Sequence, residues 1–208
     1  SVYEANVTVV LSNTDPITVT LPKNTQFVLQ SNSSVTFYNV EDAYLTQNTT
    51  TANNYEATSI TLVEGRPAQY RFTVDTNDPS QRFIIPNANV DFSRISVRVQ
   101  TSLAVNTTIA FENTADLLLA NGNSHIFSVS EAYDGYPELT FGNGVIGAAL
   151  ENDNIIIADY YISSGTAGNN IRGPFRINDT TIPNLVRGVT ATPDANTLPS
   201  AGGSDVQD

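Results

Sequence analysis

Acidic residues that lie close together in the sequence are the first candidates for chemistry, because acid–base catalysis needs two carboxylates at one site with separated pKa values. The close pairs are Glu41 with Asp42, Glu131 with Asp134, and Glu151 with Asp153. Each pair lies beside Asn, Gly or Tyr, where acidic side chains typically bond to the backbone amides of a turn. We therefore predict turn residues here and no catalytic residues, and a hydrolase on a β scaffold is kept only as a remote alternative.

His125 is the single histidine, and the chain has no cysteine. These counts exclude thiolate and multi-histidine zinc sites. A serine hydrolase triad would also need a nucleophile in a strained elbow, and the sequence contains no Gly-x-Ser-x-Gly pattern. We predict that His125 is an ordinary residue at the start of a strand, and that the chain uses no metal and no other cofactor.

Two polar segments could bind calcium, which prefers oxygen ligands from loops. Residues 75–78 read Asp-Thr-Asn-Asp, and residues 151–154 read Glu-Asn-Asp-Asn. Neither segment has the Gly and Glu spacing of an EF-hand loop. Polar turns are the favoured interpretation, so no metal ligand is assigned here, and calcium binding by one of these loops is kept as the open alternative.

A glycine-rich segment, Phe141-Gly142-Asn143-Gly144-Val145-Ile146-Gly147, could be mistaken for a phosphate-binding loop. A dinucleotide fingerprint requires a helix directly after the glycines, whereas this segment leads into another turn and a strand. Glycines that flank Asn are typical of a tight turn with positive φ angles. We predict a structural turn rather than a nucleotide site.

The charge balance limits the partners. Nine Lys and Arg stand against 21 Asp and Glu, giving a formal charge of -12. Binding to a phosphate backbone or to an anionic membrane surface depends on cationic side chains. No apolar run approaches the roughly 20 residues that span a bilayer. We expect neither nucleic acid nor a membrane as a partner.

The elements that must position these residues are strands. Charged residues make up only 14% of the chain, and the abundant Thr, Val and Ile favour pleated strands while Asn, Ser, Gly and Pro favour turns. Alternation over residues 7–11 and 17–21 predicts a hairpin, and residues 27–29 and 35–40 predict another. Residues 155–157 are three consecutive Ile, as expected of a central strand that is covered on both faces.

The predicted fold is all-β. It consists of two small antiparallel, sandwich-like units, at residues 1–75 and 76–162, and an extended arm with short strands at residues 163–208. A single helical turn is predicted at residues 114–120. The end of the chain resembles a linker into a helix N-cap, so we expect a fragment cut before a helix.

Residues 131–147 resemble a motif of the baseplate J-like family of contractile-tailed phages, and most closely the wedge subunits of T-even-like phages. The family pattern is E-x-x-D-G-x-x-x-L/I-x-F-G-D-G-x-x-G, and Asn143 stands where Asp is usual. Segments 21–27, 81–99 and 202–205 are also similar to family segments, in the same order along the chain. The matching turn residues are Asp134, Gly135, Phe141, Gly142, Asn143, Gly144 and Gly147.

The resemblance implies a structural virion protein of the tail baseplate, made in the host bacterial cytoplasm, with no active site. Its partners would be further copies of itself and neighbouring baseplate proteins, with residues 163–197 as a contact element. The alternative is a glycan-binding or adhesin-type module, which would need exposed aromatic side chains. Tyr133, Tyr136, Tyr160 and Tyr161 are its candidates.

Overall fold

The computed structural model describes residues 1–14, 16–114, 120–132, 135–177, 182, 185, 190–193 and 199–200. Its regular structure is almost entirely strand, and the predicted all-β fold is confirmed. Short 3-10 turns lie at Phe92–Arg94 and Gly165–Gly168. The strands are β1 (Val2–Val10), β2 (Thr18–Leu21), β3 (Gln26–Leu29), β4 (Thr36–Asn39), β5 (Ala43–Gln47), β6 (Asn54–Glu64), β7 (Arg66–Thr73), β8 (Phe83–Ile84), β9 (Ser96–Gln100), β10 (Thr108–Asn113), β11 (Ile126–Glu131), β12 (Pro137–Phe141), β13 (Ile155–Ile162), β14 (Phe175–Ile177) and β15 (Thr190–Pro193).

The first sheet closes on itself. Its strands follow the order β1-β15-β14-β3-β4-β6-β5-β2, and β1 also pairs with β6. The pairing therefore returns to β1 after β6, while β5 and β2 continue outward from β6. Because the pairing is circular, two halves of the sheet face each other across one core, as in a sandwich.

Alternating burial along β1 builds this core. Every second residue of β1 is buried, from Tyr3 to Val9, as the two-residue period of a strand dictates. The rings of Tyr3 and Phe37 each lie 5.1 Å from the ring of Phe175 in edge-on contacts. Phe175 is fully buried, so a residue of the C-terminal segment lies at the centre of the first core.

The extended arm predicted for residues 163–208 is wrong, because its strands belong to the first sheet. β14 and β15 are not an extended arm, because β14 pairs with β3 and β15 pairs with β1. The hairpin predicted from residues 7–11 and 17–21 is also wrong. β1 pairs with β6 and β15, and β2 pairs with β5. The second predicted hairpin is confirmed as β3 and β4.

The second sheet has the order β7-β13-β9-β10-β11-β12-β8. β13 lies between β7 and β9, and Ile155, Ile156 and Ile157 are all buried, as predicted for a central strand. Not every pairing is antiparallel, because β10 and β11 run parallel. The sequence interpretation did not identify β10, whose residues are exposed except Phe111.

The two compact units are residues 1–66 with 163–208, and residues 67–162. The second unit is thus inserted into the first, whereas the sequence interpretation placed a boundary near residue 75 and left 163–208 apart. The boundary moves because β7 joins the second sheet. Residues 115–119 of the predicted helical turn lie outside the described residues.

Candidate functional site

The glycine-rich segment is a tight loop after β12. Asn143 accepts backbone hydrogen bonds through its side-chain oxygen from Val145 and Ile146, each at 3.0 Å. The Gly144 N–H donates to the Gly147 carbonyl at 2.9 Å, which closes the loop. Val145 is 75% exposed at its tip. These hydrogen bonds make the segment a tight turn.

Glycine is required in this loop for two separate reasons. Gly147 has a φ of 75°, in the left-handed region that L side chains avoid. A Cβ on Gly147 would also lie 2.8 Å from Cγ1 of Ile126. At Gly142 the obstacle is backbone, because a Cβ there would lie 2.2 Å from the Gly147 carbonyl carbon.

Residues 121–124 hold the end of the loop in place through backbone hydrogen bonds. The Gly147 N–H donates to the Asn121 carbonyl at 3.0 Å, and the Ala148 N–H donates to the Ser124 carbonyl at 2.8 Å. Gly142 forms an isolated bridge with Ala149. The loop backbone is therefore held from both sides while its apolar tip faces solvent.

Phe141 connects the loop to the second core. Its ring lies 5.7 Å from the rings of Phe83 and Phe111 and 6.3 Å from that of Phe127. The edge-on geometry of the first two contacts is the favoured one for aromatic pairs. Phe141 is thus a packing residue at the base of the loop.

The preceding turn joins β11 to β12. The Ala132 N–H donates to the Tyr136 carbonyl at 2.8 Å, and the Gly135 N–H donates to the Ala132 carbonyl at 3.0 Å. Gly135 has a φ of 81°, so the motif glycine occupies a position that suits glycine. Asp134 and Tyr133 lie outside the described residues.

Two of the paired carboxylates, Asp42 and Asp153, occupy structural positions. Asp42 accepts from the Lys23 N–H at 2.7 Å and thereby joins two turns. Asp153 occupies a left-handed turn position, with a φ of 63°. In the part of the chain that the structure describes, no cluster of three or more His, Cys, Asp or Glu could hold a metal ion.

Two other carboxylates have shifted pKa values. Hydrogen bonds from Arg82 lower the pKa of Glu138, and hydrogen bonds from Ser80 lower that of Asp78. Both shifts favour the ionised form, the reverse of what a general acid requires.

The two candidate calcium segments come together. The Asn152 side-chain oxygen accepts from the Thr76 N–H at 3.1 Å. Asp75 accepts from the Asn77 N–H at 2.9 Å, and Asp78 accepts from the Ser80 N–H at 2.9 Å. These oxygens bond to backbone amides, as polar turns do.

His125 lies at the edge of an open pocket of about 590 Å³ that Glu112 and Ser124 also line. The imidazole packs against the ring of Phe111 at 5.1 Å. Ser124 uses its hydroxyl oxygen to accept from the Asn121 N–H at 3.1 Å. Its bonding is that of a turn residue, next to a histidine that packs on an aromatic ring.

The tyrosines proposed for glycan stacking divide into different environments. Tyr160 and Tyr161 are buried, and burial raises the pKa of Tyr161. Tyr136 is half-buried. Tyr44, which the sequence interpretation did not select, is 63% exposed. Tyr44 lies at a solvent-facing position in the two-residue alternation of β5, and this alternation is the sequence signal that would have identified it.

Glu64 is a further residue that sequence analysis missed. Its side chain is buried, accepts from the Ser163 hydroxyl at 3.0 Å and also bonds to Ser164. Gly168 packs so closely that a Cβ there would lie 2.4 Å from Cγ of Glu64. Glu64 therefore links the end of β6, where the chain leaves the first unit, to residues 163–164, where the chain returns to it.

No protein-family model matches this sequence, and no curated protein is significantly similar to it. Within the described residues, none of the helical segments has the length and apolar character needed to cross a bilayer.

Proposed function

We propose that this chain is a structural component of a contractile phage tail baseplate wedge, that it resides in the virion, and that it acts by assembly rather than catalysis. The proposal rests on the motif in residues 131–147. Its partners would be further copies of itself and neighbouring baseplate proteins.

The observation that carries the proposal is the bonding of Asn143. This residue departs from the family pattern, where Asp is usual. Among the described residues, its side chain accepts from the amides of Val145 and Ile146 and donates to none, and an Asp carboxylate accepts in the same way. The departure therefore preserves the turn, and Gly142 and Gly147 occupy places where a Cβ would collide.

The direct test is localisation on particles. Antibodies raised against the 208-residue chain would be applied to particles from a lysate of cells that express the gene in its native genomic context, and viewed by electron microscopy. We expect labelling at the distal end of contractile tails. Particles that carry no label, together with a full-length protein that stays monomeric and binds no tail protein, would refute the proposal.

Glycan binding is the second candidate, and a specific observation favours it. Tyr44 pairs with Thr20, and Thr18 pairs with Thr46 on the same exposed face of β2 and β5. An exposed ring beside hydroxyl groups suits sugar stacking and hydrogen bonding. Glycan-array binding that disappears with Tyr44→Ala would support this candidate, and an array without any signal would eliminate it.

A further inference from the structure

β7 has an unpaired edge in the second sheet. β13 is its strand neighbour, and β7 ends the strand order on that side. Every residue of β7 is exposed or half-buried. A terminal strand of this kind presents a row of backbone groups that an additional strand can pair with.

Hydrogen bonds at the end of β7 show which backbone groups face this edge. Gln81 donates its side-chain amide to the Thr73 carbonyl at 2.8 Å and accepts from the Asp75 N–H at 2.9 Å. Val74, which lies between Thr73 and Asp75, bonds through its backbone to the turn before β13. Because backbone groups alternate sides along a strand, Gln69 and Arg71 face outward like Thr73. Within the described residues, no hydrogen bond reaches their outward backbone groups.

The edge carries a cationic side chain, Arg71. Arg71 donates its Nε–H to Gln69 at 3.0 Å, and Gln69 donates to Asp159 at 2.7 Å. Asp159 also pairs with Arg98 at 3.1 Å. Arg71 takes part in none of the ion pairs found in the described chain. The charge of Arg71 is thus available, although the whole chain carries -12.

The opposite face of β7 is apolar. Phe72 packs its ring against Phe83 at 5.6 Å, and Tyr70 packs against Phe72 at 4.8 Å. Tyr70 remains 39% exposed. In an added strand, the side chains at every second position would lie over the ring of Tyr70. Pro67 has no N–H, and Gln81 already occupies the Thr73 carbonyl, so pairing is limited to the part of β7 between Pro67 and Thr73.

We propose that the outer edge of β7 binds an extended acidic segment of a partner protein by strand addition. The segment would alternate carboxylates, facing Arg71, with β-branched apolar residues, facing Tyr70. A second copy of β7 fits less well, because two such edges would bring Arg71 side chains of equal charge together. Distant acidic residues matter little, since charges beyond about 8 Å are screened at physiological salt. This inference goes beyond the assembly role and does not depend on it.

The test uses the 208-residue chain and a fluorescent ten-residue peptide that alternates Glu and Val. We expect saturable binding that weakens as salt rises. The amides of Gln69 and Arg71 should exchange more slowly with solvent in the complex, while those of Tyr70 and Phe72 should not change. A peptide that alternates Lys and Val should not bind.

Matched charge reversals separate a local contact from overall charge. Arg71→Glu should weaken peptide binding by about tenfold or more. Arg176→Glu changes the net charge equally at an exposed position of β14 and should weaken binding by no more than about twofold. The proposal is overturned if neither peptide binds at about 1 mM, if both peptides bind alike, if the two variants behave alike, or if the protected amides lie elsewhere.

Discussion

Asn143 organises the loop by accepting two backbone hydrogen bonds, from Val145 and Ile146. A net contribution of about 1 kcal/mol is typical of one such bond. We expect Asn143→Ala to lower the free energy of unfolding of the second unit by about 1 kcal/mol or more, because two amides lose their partner. Asn143→Asp should stay close to the parent. Urea unfolding followed by amide NMR signals of the second unit measures both variants, and equal losses for Ala and Asp would contradict the assigned role.

Gly144 and Gly147 form a matched pair for separating backbone strain from packing. Both have positive φ angles, 85° and 75°, so alanine at either position costs about 1–2 kcal/mol of strain. A Cβ on Gly144 meets only the Ala149 Cβ at 3.7 Å, whereas one on Gly147 lies 2.8 Å from Ile126. We expect Gly147→Ala to be clearly the more destabilising substitution in urea unfolding. Equal effects would show that Ile126 moves away at little cost.

Glu138 gives unfolding a dependence on pH. Arg82 donates to both oxygens of its carboxylate, at 2.7 and 2.6 Å, and holds its pKa below the ordinary 4.5. A lowered pKa in the folded state stabilises the protein above pH 4.5 and loses that contribution as pH falls through the folded-state value. Because Arg82 is 47% exposed, the contribution is about 0.5 kcal/mol.

The measurement is urea unfolding of parent and Glu138→Gln at pH 7 and at pH 3. The parent should lose more stability between the two pH values than the variant does, by about 0.5 kcal/mol. High salt should reduce the difference, since the pair is near the surface. A variant with an unchanged pH dependence would mean that the ion pair has no net effect on stability.

At the scale of elements, local patterns identified strands better than their partners. The alternation in β1 is visible because its buried residues recur at every second position. Its pairing with β15 is not visible, since the partners Ala5 and Pro193 are far apart in sequence. β14 has only three residues, Phe175–Ile177, and nearby Gly and Pro made the segment look irregular. The turn motif was predictable because its glycines and Asn act through neighbouring residues.

The C-terminal strands are required for the first unit, and truncation tests this. A chain that ends at residue 173 lacks β14 and β15, leaves β1 and β3 each with one unpaired edge, and removes Phe175 from the core. We expect the first unit to unfold while the second unit keeps its native NMR spectrum. A chain that ends at residue 200 is the control and should keep both units. A folded first unit in the shorter chain would contradict the closed pairing described above.

For the whole molecule, insertion of one unit into the other explains how each core forms. The first core draws on residues before position 66 and after position 163, while the second core lies within residues 67–162. Each unit thus has the separate core that an independently folding domain requires. Local sequence patterns could not show that residues 163–208 belong to the same unit as residues 1–66. Only the pairing of strands that are far apart in the sequence shows it.

The insertion predicts that the two units can be separated. The segments that leave and return lie side by side, because Glu64 accepts from the Ser163 hydroxyl at 3.0 Å, so a short linker can replace residues 67–162. We expect a chain in which a three-residue linker of Gly and Ser replaces residues 67–162 to keep the NMR signals of the first unit. Residues 67–162 alone should keep those of the second.

Glu64→Ala in the shortened chain tests the junction itself. The substitution leaves a cavity beside Gly168 and removes the acceptor for Ser163 and Ser164, so it should lower the stability of the first unit by about 1–3 kcal/mol in urea unfolding. Glu56→Ala, at an exposed position of β6, is the control and should cost much less. If the shortened chain folds and both substitutions have equal effects, the two crossings are held by backbone pairing, because the carboxylate would then contribute nothing specific.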